Sequence, residues 1–278
     1  MSFESFLIDT QNRVQHQWRE YLKLSDWHED FKALALNRVA QGKCLRPALV
    51  VSTYQSLTGS SSTPPASLLK CALALEMVHT YSLVHDDLPC MDDDNFRRGL
   101  PTAHREASEA TALLLGDALL TGAFELLATL DVEPSAKVKL IQKLAYFAGG
   151  AGMVSGQQRD LHSEIKTVDD LKILHEEKTG ALFSYCVWAG ALLAESPAEF
   201  KKHEDSYLNF GKKMGLLFQV VDDVLDDGEE GASFVKFLGL SETKEYAEAL
   251  HKELSRDAQA VKLGDLSVII DRFLNRST

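Results

Sequence analysis

Five aspartates, Asp86, Asp87, Asp92, Asp93 and Asp94, fall within nine residues, directly after one of the most apolar stretches of the chain. That stretch, Ala66 to Val84, is interrupted mainly by Lys70, Glu76 and His79, and it reads as a buried helix. Pro89 ends it, because proline lacks an amide donor and disfavours helix at the residue before it. Asp86 and Asp87 therefore sit in the last turn, at the negative end of the helix dipole, where carboxylates are disfavoured. Taken alone, the cluster fits a solvated acidic cap neutralised by Arg97 and Arg98.

A second copy changes that reading. Phe218-Gln219-Val220-Val221-Asp222-Asp223-Val224-Leu225-Asp226 again ends an apolar helix in paired aspartates, with a third one turn on. Asp222 and Asp226 share a helix face about 6 Å apart, a spacing at which like charges destabilise an isolated helix. Two costly arrangements in one chain favour a shared divalent-metal site. Donors that are all oxygen favour magnesium over zinc.

Here the residues resemble a family. Asp86, Asp87 and Asp92, followed by Arg97-Arg98, are similar to the first aspartate-rich motif of the trans-isoprenyl diphosphate synthases. Asp222, Asp223 and Asp226 are similar to the second. The bacterial-type farnesyl diphosphate synthases are the nearest resemblance, from about Gly42 to the C-terminus. It implies an all-α, single-domain helical bundle over 1–278 around a central cavity. It also implies a magnesium-dependent prenyltransferase that condenses isopentenyl diphosphate with dimethylallyl or geranyl diphosphate to give farnesyl diphosphate.

The site residues follow from that resemblance. Asp86, Asp87, Asp92, Asp222, Asp223 and Asp226 would hold magnesium, three ions with diphosphate bound. Gly42-Lys43-Cys44-Leu45-Arg46-Pro47 is a glycine turn with proline in a helix's first positions, and helix N-termini bind anions. Read without the family, Lys43 and Arg46 are equally a solvated pair. With it, they clamp isopentenyl diphosphate together with Arg98 and His79, which lies two turns before Asp86 on nearly the same face. Cys44 is a departure, since many bacterial members carry arginine there. Glu176-Glu177-Lys178-Thr179-Gly180 precedes the apolar run 181–194, and Gly180 suggests a bend that frees backbone carbonyls. A plain turn would also serve. The resemblance gives Lys178 the allylic diphosphate together with Arg97, Gln219 a substrate-binding role, and Thr179 a dipole facing the carbocation; Gln157 also matches a glutamine of the family.

Product length is expected to depend on Tyr81, five residues before Asp86, and on the two extra residues Pro89-Cys90 inside the motif. In the family these go with C15 products, although Tyr81 also suits plain core packing. After the second motif, relatives carry a longer loop with a lysine on the allylic diphosphate and another lysine before a Ser/Thr-Tyr/Phe pair. Here Asp227-Gly228-Glu229-Glu230-Gly231-Ala232 runs straight into Ser233-Phe234, neither lysine is present, and Lys236 falls too late.

Composition limits the rest. Formal net charge is −12, with no basic stripe, so nucleic-acid binding is not expected. Cys44, Cys71, Cys90 and Cys186 are widely spaced and read as reduced thiols. The N-terminus shows no signal-peptide pattern, and the longest apolar run, Ala181 to Ala194, suits a core helix rather than a membrane span. The expected protein is cytoplasmic and, by the family, a homodimer joined through the apolar helix 111–130, with Asp117 a buried structural group. Residues Gly149 to Gly156 are expected to let helices approach closely. Rival readings are a geranyl or geranylgeranyl diphosphate synthase, a terpene cyclase and a non-catalytic regulatory subunit of a synthase.

Overall fold

Thr10, Val14, Trp18 and Leu22 fall four residues apart and are the buried positions of the first helix, α1 (Phe3–Leu24), as amphipathic spacing requires. The structure is a computed structural model that describes residues 2–60, 62–226 and 231–276. Its chain divides into two compact units, Met1–Val51 with Thr63–Ile141, and Ser52–Ser62 with Gln142–Thr278.

In the first unit, α2 (Glu29–Ala40) leads through the Gly42 turn into α3 (Leu45–Thr58), which ends in the second unit. The apolar run 66–84 forms α4 (Ala66–Asp86), buried on most of its faces. It packs on α6 (Glu109–Ala128) and on α1. Trp18, Tyr21 and Trp27 form an aromatic cluster with ring centroids 5.6–6.0 Å apart. The only strands among the described residues are β1 (Phe96–Arg97) and β2 (Leu100–Pro101), an antiparallel ribbon between α4 and the short α5 (Ala103–Glu106). Arg98 and Gly99 make its turn with φ of 53° and 79°, the backbone that a two-residue hairpin demands. Sequence reading expects helices alone here, because two residues are too few to show alternation.

Asp117 is exposed, not buried as expected. The face of α6 that carries it also exposes Leu113 and Leu114, so apolar composition misleads about which side packs inward. By length and composition, α6 is the one helix among the described residues that could cross a membrane, and 44% of its apolar window is buried inside the protein.

In the second unit, α7 (Pro134–Ala148, begun in the first) and α8 (Met153–His162) precede α9 (Val168–His175). Thr167 and Asp170 close a reciprocal capping box at the start of α9. A π-helical turn, Glu176–Gly180, joins it without a break to α10 (Ala181–Ala194), which is buried almost all round. Ser196 caps and Pro197 opens α11 (Pro197–Leu225), whose 29 residues run about 43 Å. Then come α12 (Phe234–Leu238), α13 (Leu240–Ala260) and α14 (Ser267–Leu274).

Helices α10 and α11 meet backbone to backbone. A Cβ at Gly211 would lie 2.5 Å from the Phe183 carbonyl oxygen, and one at Gly215 would lie 2.6 Å from the Gly180 Cα. Neither neighbour is a flexible side chain, so the helices would have to part. Gly211→Ala is expected to cost about 1–3 kcal/mol of stability. Denaturant unfolding that leaves the midpoint in place would contradict this packing.

Candidate active site

The last turns of α4 organise the first aspartate motif. Past Pro89 the chain turns back, and the Asp92 amide donates to the Asp86 carbonyl at 2.9 Å. The first and last aspartates of the motif are thereby neighbours, Asp86 half-buried and Asp92 exposed. Asp87 is used differently. Its side chain is 5% exposed and accepts from Arg97 Nε at 2.6 Å, while Arg97 also reaches Asp94 at 3.3 Å. Burial pushes the Asp87 carboxyl up, and Arg97 pulls it back.

Arg98, held at the ribbon's turn, donates to the Gln41 carbonyl at 2.8 Å. That carbonyl ends α2, immediately before Gly42 and Lys43, so the ribbon is tied to the expected diphosphate clamp. Lys43 is exposed and Arg46 half-buried. Burial first, then Arg46, Arg98 and Arg97, push His79 well below the usual imidazole range. A buried imidazole near three guanidiniums marks a positively charged surrounding. Tyr81 is buried, its ring edge-on to His85 at 5.7 Å, and burial followed by the Asp86 charge raises it to about 12. Pro89 and Cys90 are exposed on the returning loop.

The second unit carries the second aspartate motif. Asp222 pairs with Arg276 at 2.6 Å, and that guanidinium also donates to the Phe218 carbonyl at 2.5 Å and lies 3.9 Å over the Phe218 ring. Asp223 accepts from the Phe234 amide at 2.6 Å. Burial, and then the charges of Asp222 and Asp226 against the pull of that amide, push its carboxyl up to about 6. Asp226 is exposed at the helix end, its amide donating to the Asp222 carbonyl at 2.9 Å. The acidic run 227–230 lies outside the described residues.

The bend expected at Gly180 is the π turn. One extra residue per turn widens the helix and brings Lys178 and Thr179 to a new face. Thr179 Oγ1 donates to Gln219 Oε1 at 3.2 Å, and Lys178 pairs with Asp160. Arg159 binds Glu177 at 3.1 Å and Lys212 binds Glu176 at 3.1 Å, so ion pairs fasten the turn to α8 and α11. The close approach expected from the glycine series is made by Gly156, where a Cβ would lie 2.2 Å from the Lys178 amide nitrogen.

Among the described residues, no three acidic, histidine or cysteine side chains are already gathered as a cation cage. Magnesium keeps several waters and usually takes one or two carboxylates plus substrate phosphates. Each motif offers only carboxylate oxygens, in a set that Arg97, Arg276 and the Phe234 amide already orient.

The polyprenyl synthetase family model matches residues 29–239. The farnesyl diphosphate synthase of Geobacillus stearothermophilus is 42% identical over 232 residues, covering 81% of this chain and 76% of that one. The geranylgeranyl diphosphate synthase of Cyanophora paradoxa is 38% identical, covering 86% and 84%. Among solved structures, a geranyltransferase from Helicobacter pylori complexed with magnesium and isoprenyl diphosphate superposes with a TM-score of 0.79, at 30% identity and 96% coverage of both chains. With the fold and both aspartate motifs in hand, these matches identify the chain as a member of the polyprenyl synthetase family.

Sequence reading missed Arg276, near the C-terminus and in no motif, and His175, three residues before Lys178. The His175 ring stacks on Phe234 at 5.6 Å, with both nitrogens buried and no hydrogen-bond partner among the described residues. Burial lowers it to about 4, with Asp160 opposing and Lys178 assisting. Between pH 6.5 and 4 the unfolded chain gains a proton here that the folded chain refuses, so this group lowers stability as pH falls. The His175 imidazole is expected to titrate near pH 4 by NMR; titration near 6.5 would contradict its burial.

Proposed function

We propose that the chain is a magnesium-dependent prenyltransferase that joins isopentenyl diphosphate to dimethylallyl or geranyl diphosphate, with farnesyl diphosphate as its main product. The observation that carries this reading is the charge of Arg46, Arg98 and Arg97 acting on the buried His79, two helix turns before Asp86, whose carbonyl accepts from the Asp92 amide. An anion clamp beside hard-cation ligands suits a diphosphate and its counter-ion.

Asp86, Asp92 and Asp222 are the residues that would hold magnesium, with Asp87, Asp223 and Asp226 beside them. Bound there, the ion supplies Lewis-acid stabilisation of a diphosphate leaving group. Arg97 and Lys178 bind the allylic diphosphate, Arg97 through a fork that its Asp87 bond keeps oriented. Lys43, Arg46, His79 and Arg98 bind isopentenyl diphosphate. Thr179 and Gln219, already hydrogen-bonded to each other, turn their dipoles to the allylic carbon as its bond to oxygen breaks. The new carbon–carbon bond then forms, and the condensed cation gives up a proton to the released diphosphate. Leu113 and Leu114, exposed on α6, suit a second copy of the chain, so we place a homodimer contact there.

Asp86→Ala is expected to remove turnover of isopentenyl and geranyl diphosphates while leaving the circular dichroism spectrum unchanged. An active variant would refute the assignment. Tyr81→Ala, which opens a buried aromatic site next to Asp86, is expected to lengthen the product beyond C15 in chromatographic analysis. The same experiment addresses the geranylgeranyl alternative, because a wild-type C20 product would replace farnesyl in this reading.

A further inference from the structure

Glu76 is 1% exposed, in the middle of a helix, and no part of the reaction above calls for it. Burying an ionised carboxylate is costly unless cations compensate it. Around Glu76 they are close at hand: burial drives its carboxyl upward, while Arg46 and then Arg98 pull it back. It lies three residues before His79 and eleven before Asp87, so the three share one stripe of α4. On that stripe Asp87 already holds Arg97 by a 2.6 Å bond. The turn that carries Lys43 lies directly against Glu76, since a Cβ at Gly42 would be 2.2 Å from Glu76 Oε1. Arg98 reaches the same turn through the Gln41 carbonyl.

Arg97 is answered by Asp87 and Asp94, which leaves the mutual repulsion of Arg46 and Arg98 near His79 to be offset. A buried carboxylate nearby does so. We infer that Glu76 is a positioning residue for the isopentenyl diphosphate clamp: packed against the Gly42 turn, its charge steadies Arg46 and Arg98 through space, where Asp87 holds Arg97 by a direct bond. Glu76 does not touch substrate. Gly42 is required because any side chain there would displace the Glu76 carboxylate.

This inference rests on the clamp assigned above, and the test separates the two. Glu76→Gln keeps the shape and removes the charge. It is expected to raise KM for isopentenyl diphosphate about tenfold or more, with KM for geranyl diphosphate, kcat and Tm little changed. Gly42→Ala, which pushes on the carboxylate from the other side, is expected to raise the same KM, and it serves also if Glu76→Gln does not fold. Arg46→Gln is the control on the clamp. If it raises KM for isopentenyl diphosphate while Glu76→Gln and Gly42→Ala do not, the positioning role is overturned and the clamp stands. If Arg46→Gln leaves that KM unchanged, the clamp itself falls and the role with it. Equal losses for both substrates in parallel with Tm would make Glu76 a stability residue only, and would likewise overturn the inference.

Discussion

The bond between Asp87 and Arg97 joins the end of the most buried helix of the first unit to the ribbon that follows it. An ionised pair with one partner almost fully buried tolerates little slack, because a displaced arginine would leave an uncompensated charge inside the protein. The constraint spreads from there. Arg97 fixes the ribbon, the ribbon's turn presents Arg98, and Arg98 is tied to the end of α2. Three separate parts of the sequence are thus brought to one stripe of α4 by charge rather than by apolar packing alone.

The two aspartate motifs meet the same difficulty, carboxylates at the negative end of a helix, in different ways. In the first, arginines from a hairpin do the neutralising, and the last aspartate is delivered by a loop that folds back onto Asp86. In the second, a backbone amide from Phe234 holds Asp223, and Arg276 holds Asp222. The two lysines expected after the second motif are absent from this stretch of sequence, and Arg276 is a cation found at that motif. Its guanidinium is fixed from two further directions, by the Phe218 carbonyl and by the face of the Phe218 ring.

Much of this was legible in the chain. Helices α4, α6 and α10 were marked by long apolar runs, α4 also by its stop at Pro89, and the bend at Gly180 by a glycine inside a helical pattern. Spacing alone paired Asp86 with Asp87 and Asp222 with Asp226. What escaped was tertiary. The ribbon is too short for a period, and Asp117 lies on a face whose exposure depends on what packs opposite. Glu76 looked like a polar interruption, because no one-dimensional pattern shows that residues 41–46 and 98 close over it. Arg276 lies 54 positions from its partner Asp222, outside any local window.

The π turn between α9 and α10 makes the chain length of that segment a structural quantity. A plain α-helix running from Val168 to Ala194 would need one residue fewer, because the wide turn is an insertion absorbed without a loop. Loss of any single residue from 176 to 180 would let the ordinary hydrogen-bond ladder run through and turn everything before it by about 100° against α10. Lys178 and Thr179 would then point elsewhere while the helix itself remained intact. Surface loops of a fold can drift in length, but this internal segment is held to an exact residue count, and in any comparison of sequences a gap placed here would mark a chain whose chemistry had changed.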